Sequence, residues 1–187
     1  ASVDKGNKAL ITLPDKSNVW LNSNTKLMYK NDNGIRKVKL NGEAFFKVAK
    51  NVKNPFIVHV NGLEIEVLGT SFNIKARANN IETSLVEGSV KLSSSKLLKS
   101  YYLKPNEKAI YSDQSNKIKI ISTNNIEETA WLNSILVFKS KKFIDVLKIL
   151  EDWYGVNIIC KYSEIENDRI SGMFENESLD FILQTFK

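Results

Sequence analysis

Over residues 8–121 apolar and polar positions alternate in short runs, and turn residues interrupt them every 6 to 12 positions. Phe56, Val58 and Val60 share one side of their run, with Ile57 and His59 on the other; Ile65 and Val67 alternate with Glu64, Glu66 and Leu68. A strand turns successive side chains to opposite faces, so a period of two predicts strands with one core face each. The pattern predicts strands over 10–13, 19–21, 35–40, 44–48, 56–60, 64–68, 84–86, 90–92 and 109–111, with a glycine break at Gly69 and a strand resuming near Phe72. Pro14-Asp15, Asn33-Gly34, Asn41-Gly42, Asn61-Gly62, Glu87-Gly88 and Pro105-Asn106 supply the preset or positive φ that chain reversals need. Many short strands at this spacing predict an antiparallel β-sandwich or jelly-roll-like domain over residues 1–124.

After about residue 123 the period lengthens. Phe143, Ile144, Val146, Leu147, Leu150, Trp153 and Tyr154 recur at three and four residues, which predicts an amphipathic helix, and Gly155 stands where a helix is closed by a left-handed residue. Strands are predicted over 135–138, 156–161 and 169–174, and a second helix begins after the cap Ser178 with Leu179, Ile182, Leu183 and Phe186. Residues 125–187 thus read as a small β-α-β-β-α domain. Such a module takes a closing strand over its second helix, which is still running at Lys187, so this domain is expected to be incomplete. The fold class is mainly β, with the α/β part second.

Charge divides the chain at the same place. Residues 1–124 hold 20 Lys and Arg against 10 Asp and Glu, whereas residues 125–187 hold 7 against 11, within a whole-chain net charge of +6. With 42% hydrophobic residues the chain can build a core. No apolar run approaches the ~18 residues of a membrane span, and Ala1 opens no signal-peptide pattern. Cys160 is the one cysteine and His59 the one histidine, so neither a disulfide nor a tetrahedral zinc site can form within the chain, and no metal or cofactor is expected. Cys160, following Ile158 and Ile159, reads as a small packed side chain. The lysines are scattered, with no nucleic-acid-binding motif beside them, so no nucleic acid partner is expected.

Few residues suggest chemistry. Glu43 and Glu87 each adjoin a glycine at a strand start and could form an acid/base pair, but turn bracing is the favoured reading; no catalytic motif is assembled and no catalysis is expected. Gly69 and Gly88 mark bulges or corners where a Cβ would clash. Trp131 and Tyr154 are candidate partner-binding aromatics, and Trp153 completes the helix's core stripe. His59 reads as a surface or edge residue.

Five stretches resemble the periplasmic part of the FecR family of anti-sigma regulators: Leu13-Pro14-Asp15-x-Ser17-x-Val19-Trp20-Leu21-Asn22; Arg36-x-Val38-x-Leu40-x-Gly42-Glu43-Ala44-Phe45-Phe46-x-Val48; Pro55-Phe56-x-Val58; Val67-Leu68-Gly69-Thr70-x-Phe72-Asn73; and Leu85-Val86-Glu87-Gly88-x-Val90. They follow the family's order. Trp131, Leu136-Val137-Phe138, Trp153-Tyr154-Gly155-Val156 and Gly172-x-Phe174 resemble the module that follows in the Bacteroidetes branch, which is similar in topology to the secretin and TonB short N-terminal domain. Lys16, Ser134 and Asn106 depart from the pattern, standing where glycine is usual.

The resemblance implies the periplasmic region of a single-pass inner-membrane protein whose cytoplasmic segment, outside this chain, binds an extracytoplasmic-function sigma factor. The region seen here is expected to meet the N-terminal signalling domain of a TonB-dependent outer-membrane transporter. The acidic second domain is the expected docking surface, because a small mixed sheet exposes strand edges that can pair with a partner strand. Its candidate contacts are Trp131, Tyr154, Val156, Ile158, Cys160, Ile170 and Phe174, with 156–161 and 170–174 as the candidate edges. The alternative is a carbohydrate-binding jelly roll, for which the strand aromatics Phe45, Phe46, Phe56, Phe72, Tyr101 and Tyr102 would have to form an exposed face.

Overall fold

The computed structural model describes residues 1–77, 80–161 and 163–186. Fourteen strands come first: β1 (Ser2–Val3), β2 (Ala9–Thr12), β3 (Asn18–Leu21), β4 (Thr25–Asp32), β5 (Ile35–Asn41), β6 (Glu43–Lys47), β7 (Phe56–Val60), β8 (Leu63–Val67), β9 (Ser71–Arg77), β10 (Asn80–Glu87), β11 (Val90–Ser93), β12 (Tyr101–Leu103), β13 (Glu107–Ser112) and β14 (Lys117–Ser122). They form two seven-stranded sheets, in the orders β1-β4-β5-β7-β8-β11-β12 and β14-β13-β10-β9-β6-β3-β2. The alternation in the sequence becomes the core between them. Phe56, Val58 and Val60 of one sheet are buried, as are Phe46, Phe72 and Ile74 of the other. Phe46 stacks on Phe72 at 5.0 Å and meets Phe56 of the facing sheet edge-on at 6.1 Å. Phe46, Phe56 and Phe72 are therefore core residues and unavailable to a glycan-binding face.

Turn chemistry sets the hairpins. Asn33-Gly34 and Asn61-Gly62 both have positive φ at each residue and close the two-residue hairpins β4–β5 and β7–β8, whose end pairs are Asp32 with Ile35 and Val60 with Leu63. One pair departs from the antiparallel expectation: β5 and β7 run parallel, because the chain leaves the first sheet after Asn41, makes β6 in the second, and returns. At Gly69 a Cβ would lie 2.6 Å from the Lys50 Cα, and at Gly88 2.8 Å from the Thr70 Oγ1, so both glycines sit at corners that admit no side chain.

The second part contains α1 (Ile126–Thr129), a 3₁₀ turn at Ala130–Asn133, β15 (Ile135–Lys142), α2 (Phe143–Tyr154), a 3₁₀ turn at Ser163–Ile165, β16 (Arg169–Glu175) and α3 (Leu179–Thr185). β15 and β16 form an antiparallel pair, and Leu136, Phe138, Val146, Leu150 and Ile182 make its core. Gly155 closes α2 at φ 69, and the Ser178 hydroxyl accepts from the Phe181 N–H at 3.2 Å to cap α3. The first turn of α2 is capped by a loop: the Phe143 and Ile144 N–H groups donate to the carbonyls of Asp168 (2.7 Å) and Glu166 (3.1 Å). The helix read as still running at Lys187 is α3, which ends at Thr185 with Phe186 at its C-cap, and Lys187 lies outside the described residues.

The strand expected over 156–161 is not formed. Val156, Ile158 and Cys160 are half-buried while Asn157 and Ile159 are exposed, so the segment keeps the alternation of a strand, but it joins no ladder. A strand needs a neighbour as well as a pattern, and among the described residues β16 pairs with β15 alone.

Candidate functional site

The outer face of the second sheet carries a polar ladder. Glu43 on β6 stands opposite Lys75 on β9, Lys75 opposite Glu82 on β10, and Ser84 opposite Lys108 on β13. Glu43 is almost fully buried; its carboxylate accepts from the Asn22 and Asn73 side-chain amides at 3.0 and 3.1 Å and pairs with Lys75 at 3.1 Å. That network makes it a brace, and Glu87 at its own strand end is exposed. The 125–137 stretch of the second part covers this face. Glu128 pairs with Lys108 at 2.7 Å and accepts from the Thr123 hydroxyl at 2.9 Å. Burial works against the charge on Glu128, but the hydrogen bond and charge of Lys108 and the Thr123 hydroxyl outweigh it and hold the carboxyl below its ordinary value. Asn125, 6% exposed with φ 61, fastens the start of α1: its amide donates to the Leu85 carbonyl at 3.2 Å and to Asn106 at 3.1 Å.

A cleft of about 190 Å³ remains where the two parts meet, lined by Glu43 and Lys75 on one side and Trp131, Val137, Asp152 and Trp153 on the other. Around its rim the first part reaches across. The Lys8 ammonium lies 3.5 Å from the centre of the Trp153 ring and donates to the Trp131 carbonyl at 3.0 Å. Burial against the ring pushes Lys8 down to about 8, opposed by the Glu43 charge. Lys5 stands 3.6 Å from the Asp152 carboxylate, and the Gly6 N–H and the Ser23 hydroxyl both donate to the Asp152 carbonyl.

The residues read as partner contacts separate into two places. Trp131 is 5% exposed and belongs to the junction, so it reaches a partner only if the junction opens. Tyr154, Ile158, Ile170 and Phe174 pack around the second core; the Tyr154 hydroxyl donates to the Glu177 carbonyl at 2.6 Å, and burial with the nearby Glu177 charge raises its pKa. Ile170 and Phe174 face the helices, while Arg169, Ser171, Met173 and Glu175 face away, Met173 being 62% exposed. Among the described residues β16 pairs with β15 alone, and Met173 is the exposed apolar side chain on its outward face. Sequence reasoning did not single out Asn125, Lys8 or Asp152. Asn125 had a readable signal, an Asn at a change of period, where left-handed backbone is tolerated; Lys8 and Asp152 lie 144 positions apart and carry none.

No described helix is long and apolar enough to cross a membrane. The family described as FecR protein matches residues 1–91, and the one described as FecR, C-terminal, matches residues 135–187. No curated protein matches. Two crystal structures of a candidate anti-sigma factor from Parabacteroides distasonis, at 1.65 and 2.50 Å resolution, are similar to this chain at 32% identity. Each match covers 100% of this chain and 89% or 88% of the other, with TM-scores of 0.89 and 0.88. With both family matches in order and this likeness along its whole length, the chain belongs to the FecR family of anti-sigma factors.

Proposed function

We propose that this chain is the sensor region of a membrane-anchored anti-sigma factor, lying in the periplasm, and that it works as two units, residues 1–124 and 125–187. The second unit receives the N-terminal signalling domain of a TonB-dependent outer-membrane transporter, and the consequence is passed to an extracytoplasmic-function sigma factor held by a segment outside this chain. Its mechanism is differential binding: a partner that prefers one arrangement of the two units shifts the population presented to the sigma factor.

The observation that carries the reading is the edge of β16 away from β15, which pairs with no strand among the described residues. An incoming strand can add its backbone hydrogen bonds there, with Met173 as the exposed apolar contact on the outward face. Val156, Ile158 and Cys160, half-buried after α2, keep the alternation of a strand. A calorimetric titration of the chain with the transporter's signalling domain is expected to show binding that Met173→Asp weakens at least about tenfold, the scale of a lost hot-spot contact. Ile120→Asp, at a 37% exposed position on β14, should leave it unchanged. Equal binding by wild type and Met173→Asp would place the contact elsewhere.

A further inference from the structure

We propose that residues 4–8 are a latch: this strap of the β-sandwich holds the C-terminal module by capping the last turn of α2, so the module has a docked and a released position whose balance the strap sets. The last four carbonyls of any helix lack intrahelical donors. In α2 the Glu151 carbonyl is satisfied locally, by the N–H groups of Gly155 at 3.0 Å and Val156 at 3.2 Å. The Asp152 carbonyl is satisfied from the other side of the junction, by the Gly6 N–H at 2.8 Å and the Ser23 hydroxyl. Lys5, 3.6 Å from the Asp152 carboxylate, also puts a positive charge at the negative end of the helix. Lys8 then ties down two separate elements with one ammonium, the 3₁₀ turn through the Trp131 carbonyl and α2 through the Trp153 ring.

The close fit is made by glycine on both sides. Gly6 and Gly155 have φ of 77° and 69°, and a Cβ on Gly6 would stand 3.1 Å from the Gly155 nitrogen. Two backbones meet there so closely that a Cβ on either glycine would crowd the other chain, on a backbone that L side chains rarely adopt.

The contact is built to open. Residues 4–8 are exposed overall, with only the tip of Lys8 desolvated at the Trp153 ring, and add no side chain to either core, so the strap is held by a few polar contacts and one ring contact, and each half of the molecule keeps its own apolar cluster when they part. The polar cleft beside it lets water take over the Asp152 carbonyl on release. Such openings sit at the low end of a protein's range of local stabilities. The latch does not depend on the identity of the partner proposed above.

Amide exchange followed by NMR on the whole chain tests this, because the Gly6 N–H is itself part of the latch. Slow exchange is expected at Gly6 in the wild type. Lys8→Gln should speed it about tenfold, the weight of one partly desolvated cation–ring contact, while the amides of Val58 and Leu150 keep their rates. Lys8→Arg, which keeps a cation over the ring, should restore protection. Gly6→Ala should release the strap, whereas Gly62→Ala, with the same kind of backbone (φ 82) but nothing within 4 Å, should not. Unchanged Gly6 exchange in Lys8→Gln would overturn the latch. So would acceleration shared equally by Val58 and Leu150, which would mean a general loss of stability.

Discussion

Lys16, Asn106 and Ser134 occupy left-handed backbone, at φ 67, 65 and 59. Asn tolerates this conformation, because its short polar side chain bonds locally; Lys and Ser have less to offset the crowding of Cβ against the carbonyl, on the order of 1 kcal/mol. These are the three positions at which the family pattern has glycine, so the departures leave the turns intact and strain them. Lys16→Gly and Ser134→Gly should each raise the unfolding free energy by up to about 1 kcal/mol, less whatever the freer glycine costs in the unfolded chain. Urea denaturation of the single variants measures it, and a loss of stability in both would show that the side chains hold these turns. The corner at residues 14–17 is legible in the sequence, since Pro14-Asp15 fixes where the chain reverses. Its bracing is not legible: Asp15 pairs with the buried Arg36 at 2.8 Å and accepts from the Ser17 hydroxyl at 2.7 Å, contacts that only the folded chain brings together.

At the scale of elements, strands with strict alternation and a two-residue Asn-Gly turn could be read residue by residue, as β7 and β8 were. β4 could not, because Met28 stands 70% exposed among lysines on its outer face and blurs the period. The 156–161 stretch misleads in the opposite way, having the alternation and lacking the neighbour. The seam formed by α1 and β13 was likewise invisible, since Lys108 and Glu128 are ordinary surface residues until the linker folds back. Acid should loosen that seam. The Glu128 carboxyl is lower in the folded chain than its ordinary value of 4.5, so its contribution is complete above that value and is lost as pH falls through the folded one. Amide exchange across 125–129 is expected to accelerate below about pH 4.5 in the wild type, and to lose that dependence in Glu128→Gln. An identical acid response in the two proteins would assign it to other carboxylates.

For the molecule as a whole, the break between a basic first part and an acidic second part is used in part internally. Lys108 meets Glu128 and Lys5 meets Asp152 across it, so the charge asymmetry is by itself a weaker guide to a partner surface than the sequence suggests. Salt should distinguish these pairs. Screening lengths fall from about 10 Å at 0.1 M to about 3 Å at 1 M, which weakens the exposed Lys5 pair while the largely buried Lys108–Glu128 pair persists. Solution scattering should therefore give a radius of gyration near the ~16 Å of a compact chain of 187 residues, growing by no more than about a tenth between those salt concentrations. A larger expansion would mean that screened surface charge holds the two halves together. The bare edge of β16 has a consequence in the test tube as well. An unpaired strand edge does not choose its neighbour, and a second copy of the same chain offers one of matching length. Self-pairing and capture of a foreign strand then draw on the same sites, and mass action decides between them: an affinity measured at high chain concentration understates the one a dilute, tethered sensor would show.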